Sequence, residues 1–286
     1  MNKLARLATR VWSRILGTDF AMKMDLHNHL LSELYVQNLL NGSAKYSEAG
    51  RLGRFEHTAF CQNGEDGILA EMFRRVGTGN RLFVEFGAQN GIASNSALLL
   101  CEGWSGFWIE AMESQVDEIR RYFSTFIGSG KLAVKQAFIT AENIEELFAQ
   151  MKVPAEFDYL SVDIDGNDYW VWKAIQRFSP RVVSVEYNGV FPAHVNWVMP
   201  YAPQHSWDGT NYYGASLKAL ENLGRQKGYS LVGCNLVGVN AFFVRNDLLG
   251  DRFCAPFTAE NHYEPRRYFL CQSPWRYMKF GPYVEG

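Results

Sequence analysis

The sequence is short of charge and has no paired cysteines. Charged residues make up 20% of its 286 positions, below the roughly 25% of an ordinary soluble domain. Lys+Arg 28 against Asp+Glu 30 leaves a formal net charge of -2, so no global basic field is available to hold nucleic acid. The 5 cysteines, Cys61, Cys101, Cys234, Cys254 and Cys271, are odd in number and scattered, with no CxxC pair. This excludes a zinc ribbon and a redox dithiol and suits a reducing, cytoplasmic setting. No run approaches the ~18 consecutive apolar residues of a membrane span, and no signal peptide or internal repeat is evident. What abounds is aromatic: 20 Phe, 14 Tyr and 8 Trp, or 15% of the chain. A hydrophobic fraction of 47% excludes wholesale disorder, and a chain this long can bury a sizeable core without staples.

Residues 1–45 read as a helical extension. Lys3, Arg6, Arg10 and Arg14 come with no acid among the first 16 residues, while Leu4, Leu7, Val11, Trp12, Ile15 and Leu16 follow helical spacing. A basic amphipathic helix of this kind suits peripheral contact with the inner face of an anionic membrane, or packing on its own domain or on a second copy in a homo-oligomer. A second helix is expected over Leu26–Leu40, ending at Asn41-Gly42. His27 and His29 stand at i, i+2, which do not share a helix face, so they are not a ligand pair.

Residues 46–246 alternate strand and helix, the pattern of an α/β sheet. Strands are expected at 81–86, 106–110, 131–138, 157–162 and 181–186, with helices at 68–76, from Gly91 to about Leu100, and at 113–126 and 141–151. After a long connection over 188–213, a helix at 215–227 leads into a hairpin at 229–234 and 240–245. Residues 247–286 form an aromatic, arginine-bearing tail, in which Arg266, Arg267 and Arg276 read as a solvated face or a subunit contact.

The strongest local feature is Glu85-Phe86-Gly87-Ala88-Gln89-Asn90-Gly91, at the junction of the first strand and its helix. Glycines there let the backbone turn and approach a ligand, and the helix N-terminus beyond offers free amides. Glu110 closes the second strand, where an acid accepts hydrogen bonds from ribose hydroxyls in nucleotide-binding sheets. The dinucleotide spacing Gly-x-Gly fails, because Gln89 stands two residues after Gly87. An acid before the turn and a terminal hairpin favour S-adenosylmethionine over NAD.

Gln62-Asn63-Gly64-Glu65-Asp66-Gly67, Phe83 to Gly91, Asp163-Ile164-Asp165-Gly166 and Val185-Glu186-Tyr187-Asn188 resemble the FkbM-type methyltransferases. The resemblance covers roughly Phe60 to Arg245. It implies a class I, Rossmann-like, seven-stranded sheet of order 3-2-1-4-5-7-6, with the last strand antiparallel and helices on both faces. It also implies transfer of methyl from S-adenosylmethionine to a hydroxyl of a sugar or glycoconjugate. Glu85, Gly87, Ala88 and Gly91, with Phe86, Gln89 and Asn90 between them, would then surround the methionine part. Glu110 would hold the ribose, and Gln62 and Asp66 would reach the cofactor pocket. Methylation of a lipid, protein or small molecule, and a catalytically silent binding module, are the competing readings.

A second group, Asp163, Asp165, Glu186 and Asn188, sits at the ends of the fourth and fifth strands. Adjacent strands lie ~4.8 Å apart, so these side chains are expected to meet at the carboxyl edge of the sheet. Three carboxylates and an amide oxygen suit a hard divalent cation such as Mg²⁺. The plainer alternative has Asp163 positioning the methionine amine without a metal. Asp163, His194 and His205 are the candidate bases for an acceptor hydroxyl. Tyr201, Trp207, Tyr212 and Tyr213 are candidates for an apolar wall against sugar rings, or for core packing.

Overall fold

The computed structural model describes the backbone of residues 3–270 and 284–285, and side chains at Phe20, Lys23, Met24 and 26–270. Arg276 and Cys271 lie outside the described residues, as do the side chains of the basic 3–16 segment. The chain divides into two units, Met1–Ser47 and Glu48–Gly286.

The first unit is one helix, α1 (Lys3–Gly42, 40 residues), followed by a 3-10 turn over Ala44–Ser47 that buries Tyr46. The two helices expected here are therefore continuous. No proline interrupts residues 3–42, and Gly17, the one glycine in the helix interior, costs it only about 1 kcal/mol. Phe20, Met24, Leu26, Leu30, Leu31, Leu34 and Tyr35 are all exposed along it. Among the described residues no helix is long and apolar enough to cross a membrane.

The second unit begins with α2 (Glu65–Val76) and β1 (Leu82–Phe86). Then come α3 (Ala97–Cys101), β2 (Ser105–Glu110), α4 (Glu113–Tyr122), α5 (Ser124–Gly128) and β3 (Leu132–Gln136). They are followed by α6 (Ile144–Gln150), β4 (Glu156–Val162), α7 (Asp168–Ala174), β5 (Ser179–Glu186) and α8 (Leu217–Gln226). The hairpin β6 (Tyr229–Cys234) and β7 (Asn240–Arg245) and the short α9 (Ala259–His262) complete the described elements used below. The seven strands form one sheet in the order β3-β2-β1-β4-β5-β7-β6. β1 to β5 are parallel, and β7 runs antiparallel to β5 and to β6. This is the class I methyltransferase arrangement expected from the sequence.

Strand side chains alternate between two faces, and each face has its own core. Val84, Phe86, Leu160, Val162, Val183, Val185 and Phe243 pack with Phe148 of α6, Trp172 of α7 and Leu220 of α8. Phe83, Trp108, Tyr159, Val182, Phe242 and Val244 pack with Ile68 and Met72 of α2 and Leu100 of α3. The buried, β-branched and aromatic strands fit a sheet covered on both sides.

Two expected helices change shape. The one expected over 113–126 breaks at Phe123, whose φ of -107° and ψ of 20° are not helical. Its ring packs edge-on against Trp108, with centroids 4.7 Å apart. The one expected from Gly91 shrinks to the five residues of α3, because residues 87–96 are used as a loop over the site. The tail up to residue 270 is packed rather than solvated. Arg267 is 8% exposed, and its Nη1 donates to Glu264 Oε2 at 2.7 Å and to the Leu236 carbonyl at 2.6 Å.

Candidate active site

A cavity of about 350 Å³ opens at the carboxyl edge of the sheet, within the size range of small-molecule sites. On one side it is lined by Gln62, Glu85, Gly87, Ala88 and Gln89, and on the other by Asp163, Asp165 and Glu186. All eight of these were expected at a cofactor or metal site. Phe86, Asn90, Gly91, Asp66 and Glu110 do not line it. Phe86 is fully buried in the core, since it sits one residue from Glu85 and takes the opposite face of β1.

Gly87 carries the close approach that the sequence predicts, but to protein rather than to ligand. Its φ is +67°, and a Cβ there would lie 2.0 Å from the Asp163 carbonyl oxygen. Any side chain would therefore push the β1 turn off the end of β4. Gly91, at φ +82°, is likewise closed by the rings of Trp108 and Phe123.

The three acids at the start of the site act largely on backbone amides. Glu85 Oε1 accepts from Asn95 N at 2.8 Å, and Oε2 accepts from Ser96 N at 3.0 Å and from the Ser96 hydroxyl. Trp108 Nε1 donates to that same hydroxyl at 2.8 Å. The amides expected to await a ligand at the helix start are thus taken up by Glu85. Burial pushes the Glu85 carboxyl up to about 7, against the lowering effect of these bonds. Glu110 accepts from Gln89 N and Met112 N, both at 2.9 Å, so it shapes the glycine turn from behind. Asp66 Oδ2 accepts from the amides of Ala59, Phe60 and Cys61 at 2.8, 2.7 and 3.1 Å. It folds the loop that carries Gln62 and Asn63 to the cavity.

At the far side, one carboxylate oxygen from each of Asp163, Asp165 and Glu186 lies within 4.8 Å of the others. Asp168, the first residue of α7, holds the connecting loop. Its Oδ1 accepts from Ile164 N and its Oδ2 from Gly166 N, both at 2.8 Å. Burial, and secondarily the charge of Asp165, raise the Asp168 carboxyl to about 6. Asn188 does not join the group. It is fully buried, and its Nδ2 donates to the carbonyls of Asn211 and Tyr213 at 2.8 and 3.0 Å. That amide ties down the long connection instead.

Neither histidine base candidate lines the cavity. His194 is exposed, and His205 packs over Gly166, whose added Cβ would meet its ring at 2.3 Å. Of the aromatic wall, Trp207 does line the cavity. Tyr201 instead donates to Glu142 and accepts from Ala141 N, and Tyr213 is buried in packing.

Sequence reasoning missed Asn63, Ser94, Asn95, Val239, Asn240 and Tyr268, which also line the cavity. Asn63 belongs to the motif at residues 62–67, which by itself gives it no role. Asn240 was open to inference, because the first residue of an antiparallel last strand lands beside the last residue of β5. Ser94 and Asn95 carry no such signal, because the sequence after Gly91 predicts a helix there.

No protein-family model and no curated protein matches the sequence. Solved structures are similar at low identity. A putative caffeoyl-CoA O-methyltransferase from Staphylococcus aureus is 12% identical, with TM-score 0.45, covering 75% of this chain and 99% of that one. The N-terminal domain of EvdMO1 with SAH bound is 13% identical, with TM-score 0.41, covering 63% and 79%. The O-methyltransferase NcsB1 from neocarzinostatin biosynthesis is 16% identical, with TM-score 0.38, covering 63% and 52%. What defines the fold of this chain is its own strand order.

Proposed function

We propose that this chain is an S-adenosylmethionine-dependent O-methyltransferase, and that its acceptor is a hydroxyl of a sugar or glycoconjugate. The observation that carries the reading is the cavity at the carboxyl edge, with a glycine turn on one side and three carboxylates on the other. Among the described residues lining it there is no Lys or Arg. A diphosphate would find no cation there, whereas an ammonium and a sulfonium would find carboxylates. The sugar acceptor is supported by the resemblance to FkbM-type enzymes in the quoted motifs.

S-adenosylmethionine, when bound, supplies a sulfonium methyl that leaves with the S–C electron pair staying on sulfur. The residues of this chain do the rest. Gln62, Gly87, Ala88 and Gln89 form the wall for the cofactor, with Glu110 setting the turn through the Gln89 amide. Asp163 offers its carboxylate to the cofactor amine or to the proton of the acceptor hydroxyl, since both reach the cavity it lines. Asp165 and Glu186 complete an acceptor-rich wall. The loop from residue 188 to 213, pinned by Asn188, brings Trp207 to the cavity, and positioning of the two reactants supplies much of the acceleration.

Asp163, Asp165 and Glu186 also have the donor chemistry for a hard divalent cation. They would hold Mg²⁺, which would supply Lewis acidity to an acceptor oxygen. The basic first half of α1 is proposed to make peripheral contact with an anionic membrane. The support is its four Lys and Arg residues without an acid before Asp19.

Isothermal titration with S-adenosylmethionine tests the core of the reading. A dissociation constant in the micromolar range is expected, and absence of binding overturns it. Binding without transfer of radiolabelled methyl to any hydroxyl acceptor would reduce the chain to a silent binding module.

A further inference from the structure

Asn240 opens β7, and its antiparallel pairing sets it across from Glu186 at the end of β5. It lines the cavity and is 2% exposed. Its Nδ2 donates to Glu65 Oε1 at 2.8 Å. Glu65 is fully buried; the same oxygen accepts from Asn235 Nδ2 at 2.9 Å, and its Oε2 accepts from Asn63 N at 2.8 Å. That oxygen accepts from both amides, so the Nδ2 end of Asn240 faces Glu65. The Oδ1 end is left over, and it has no hydrogen-bond partner among the described protein groups.

The neighbouring Asn235 shows what a purely structural amide does in this hairpin. Its Nδ2 also donates to Glu65, but its Oδ1 accepts from Val239 N at 2.9 Å and Asn240 N at 3.0 Å. Both of its ends are used. A role in fixing Glu65 explains half of Asn240 and leaves a buried amide oxygen that no protein group pairs, so its partner is water or a ligand in the cavity.

The charge beside it is of one sign. Asp163, Asp165 and Glu186 line the cavity, and no Lys, Arg or His is among its described lining residues. An acceptor with a phosphate or carboxylate beside these three acids meets like charge.

We propose that Asn240 is an acceptor-binding residue, held by Glu65 so that its Oδ1 receives an O–H or N–H donor from a substrate that is neutral or cationic, not anionic. This rests on the methyltransferase reading for the identity of the bound cofactor, but not for the polarity of the wall.

Three sugars of the same ring test it by NMR titration of the full-length protein saturated with S-adenosylhomocysteine: D-glucose (neutral), D-glucosamine (cationic) and D-glucuronate (anionic). Glucose and glucosamine are expected to bind at least ~10-fold more tightly than glucuronate, because like charges across a binding surface are costly. Glucuronate binding as tightly as glucose, or no binding by any of the three, overturns the proposal. Asn240→Ala is expected to weaken glucose about 10-fold, the worth of one hydrogen bond, while leaving S-adenosylhomocysteine binding within about 2-fold. Unchanged glucose binding in that variant also overturns it. Should Asn240→Ala fail to fold, Asn240→Ser is titrated with glucose in its place, with the same loss expected and unchanged binding again overturning the proposal. Failure of S-adenosylhomocysteine to bind would sink the methyltransferase reading separately, and the sugars are then titrated without it.

Discussion

At the scale of single residues, the site is built by acids that hold backbone. Glu85 holds two amides and a hydroxyl with one carboxylate, in a place so buried that its proton is retained up to about pH 7. The ordinary value is 4.5. The folded protein therefore binds this proton more tightly than the unfolded chain. Stability contributed by the group falls as pH rises from 4.5 to about 7 and levels off above. Glu85→Gln is expected to remove that slope in urea titrations between pH 5 and 8. It is also expected to lower stability by about 1–3 kcal/mol, because the amide turns an N–H toward a donor. A wild-type slope preserved in the variant would exclude Glu85 as its source. Gly87→Ala is a second residue-scale prediction. Its Cβ would overlap the Asp163 carbonyl at φ +67°, so loss of S-adenosylmethionine binding by more than about 10-fold is expected. Near-wild-type affinity by calorimetry would contradict the turn geometry.

At the scale of elements, two loops at the carboxyl edge decide what the sheet can do. Residues 163–166 are drawn onto the start of α7 by Asp168, and this brings Asp163 and Asp165 to Glu186. If the three carboxylates hold a divalent ion in the working enzyme, thorough chelation should lower turnover by at least ~10-fold, with Mg²⁺ restoring it. Turnover indifferent to chelation would assign the group to the cofactor amine and to proton transfer alone. The long connection depends on Asn188, whose two donated bonds reach residues 211 and 213. Asn188→Ala should expose residues 189–210 to limited proteolysis at least several-fold faster, because buried carbonyls lose their partner. A digestion pattern equal to wild type would move that role elsewhere.

At the scale of the whole molecule, the division at Ser47/Glu48 separates a helical unit from a sheet unit. Full-length protein is expected to float with liposomes containing anionic lipid, at low salt more than at high. A chain beginning at Glu48 is expected to stay in the soluble fraction. Equal flotation of the two forms would take the membrane contact away from α1.

The sheet was legible because its strands are buried on both faces and so read as short apolar runs between glycine-bearing turns. β6 and β7 were found to the residue, at 229–234 and 240–245. The reading failed where side chains act on distant backbone. Nothing local shows that Glu85 consumes the amides of residues 95 and 96 or that Asn188 reaches residues 211 and 213. The helix expected after Gly91 shrank for the same reason, and the break at Phe123 comes from a ring drawn to Trp108.

By itself the sequence determined the order of strand and helix, the glycine turn after β1 and the acids at the ends of β4 and β5, because periodicity and chain reversal are local properties. Only the tertiary structure decided which of those acids face the cavity, that both histidines lie outside its lining, and that Asn240 lies beside Glu186. Those outcomes depend on antiparallel register and on which buried donor each carboxylate meets. The shortage of charge takes its meaning there as well: with 28 basic and 30 acidic residues in the chain, no basic residue is among those described as lining the cavity, and net charge counted along a sequence says nothing of where the fold places it.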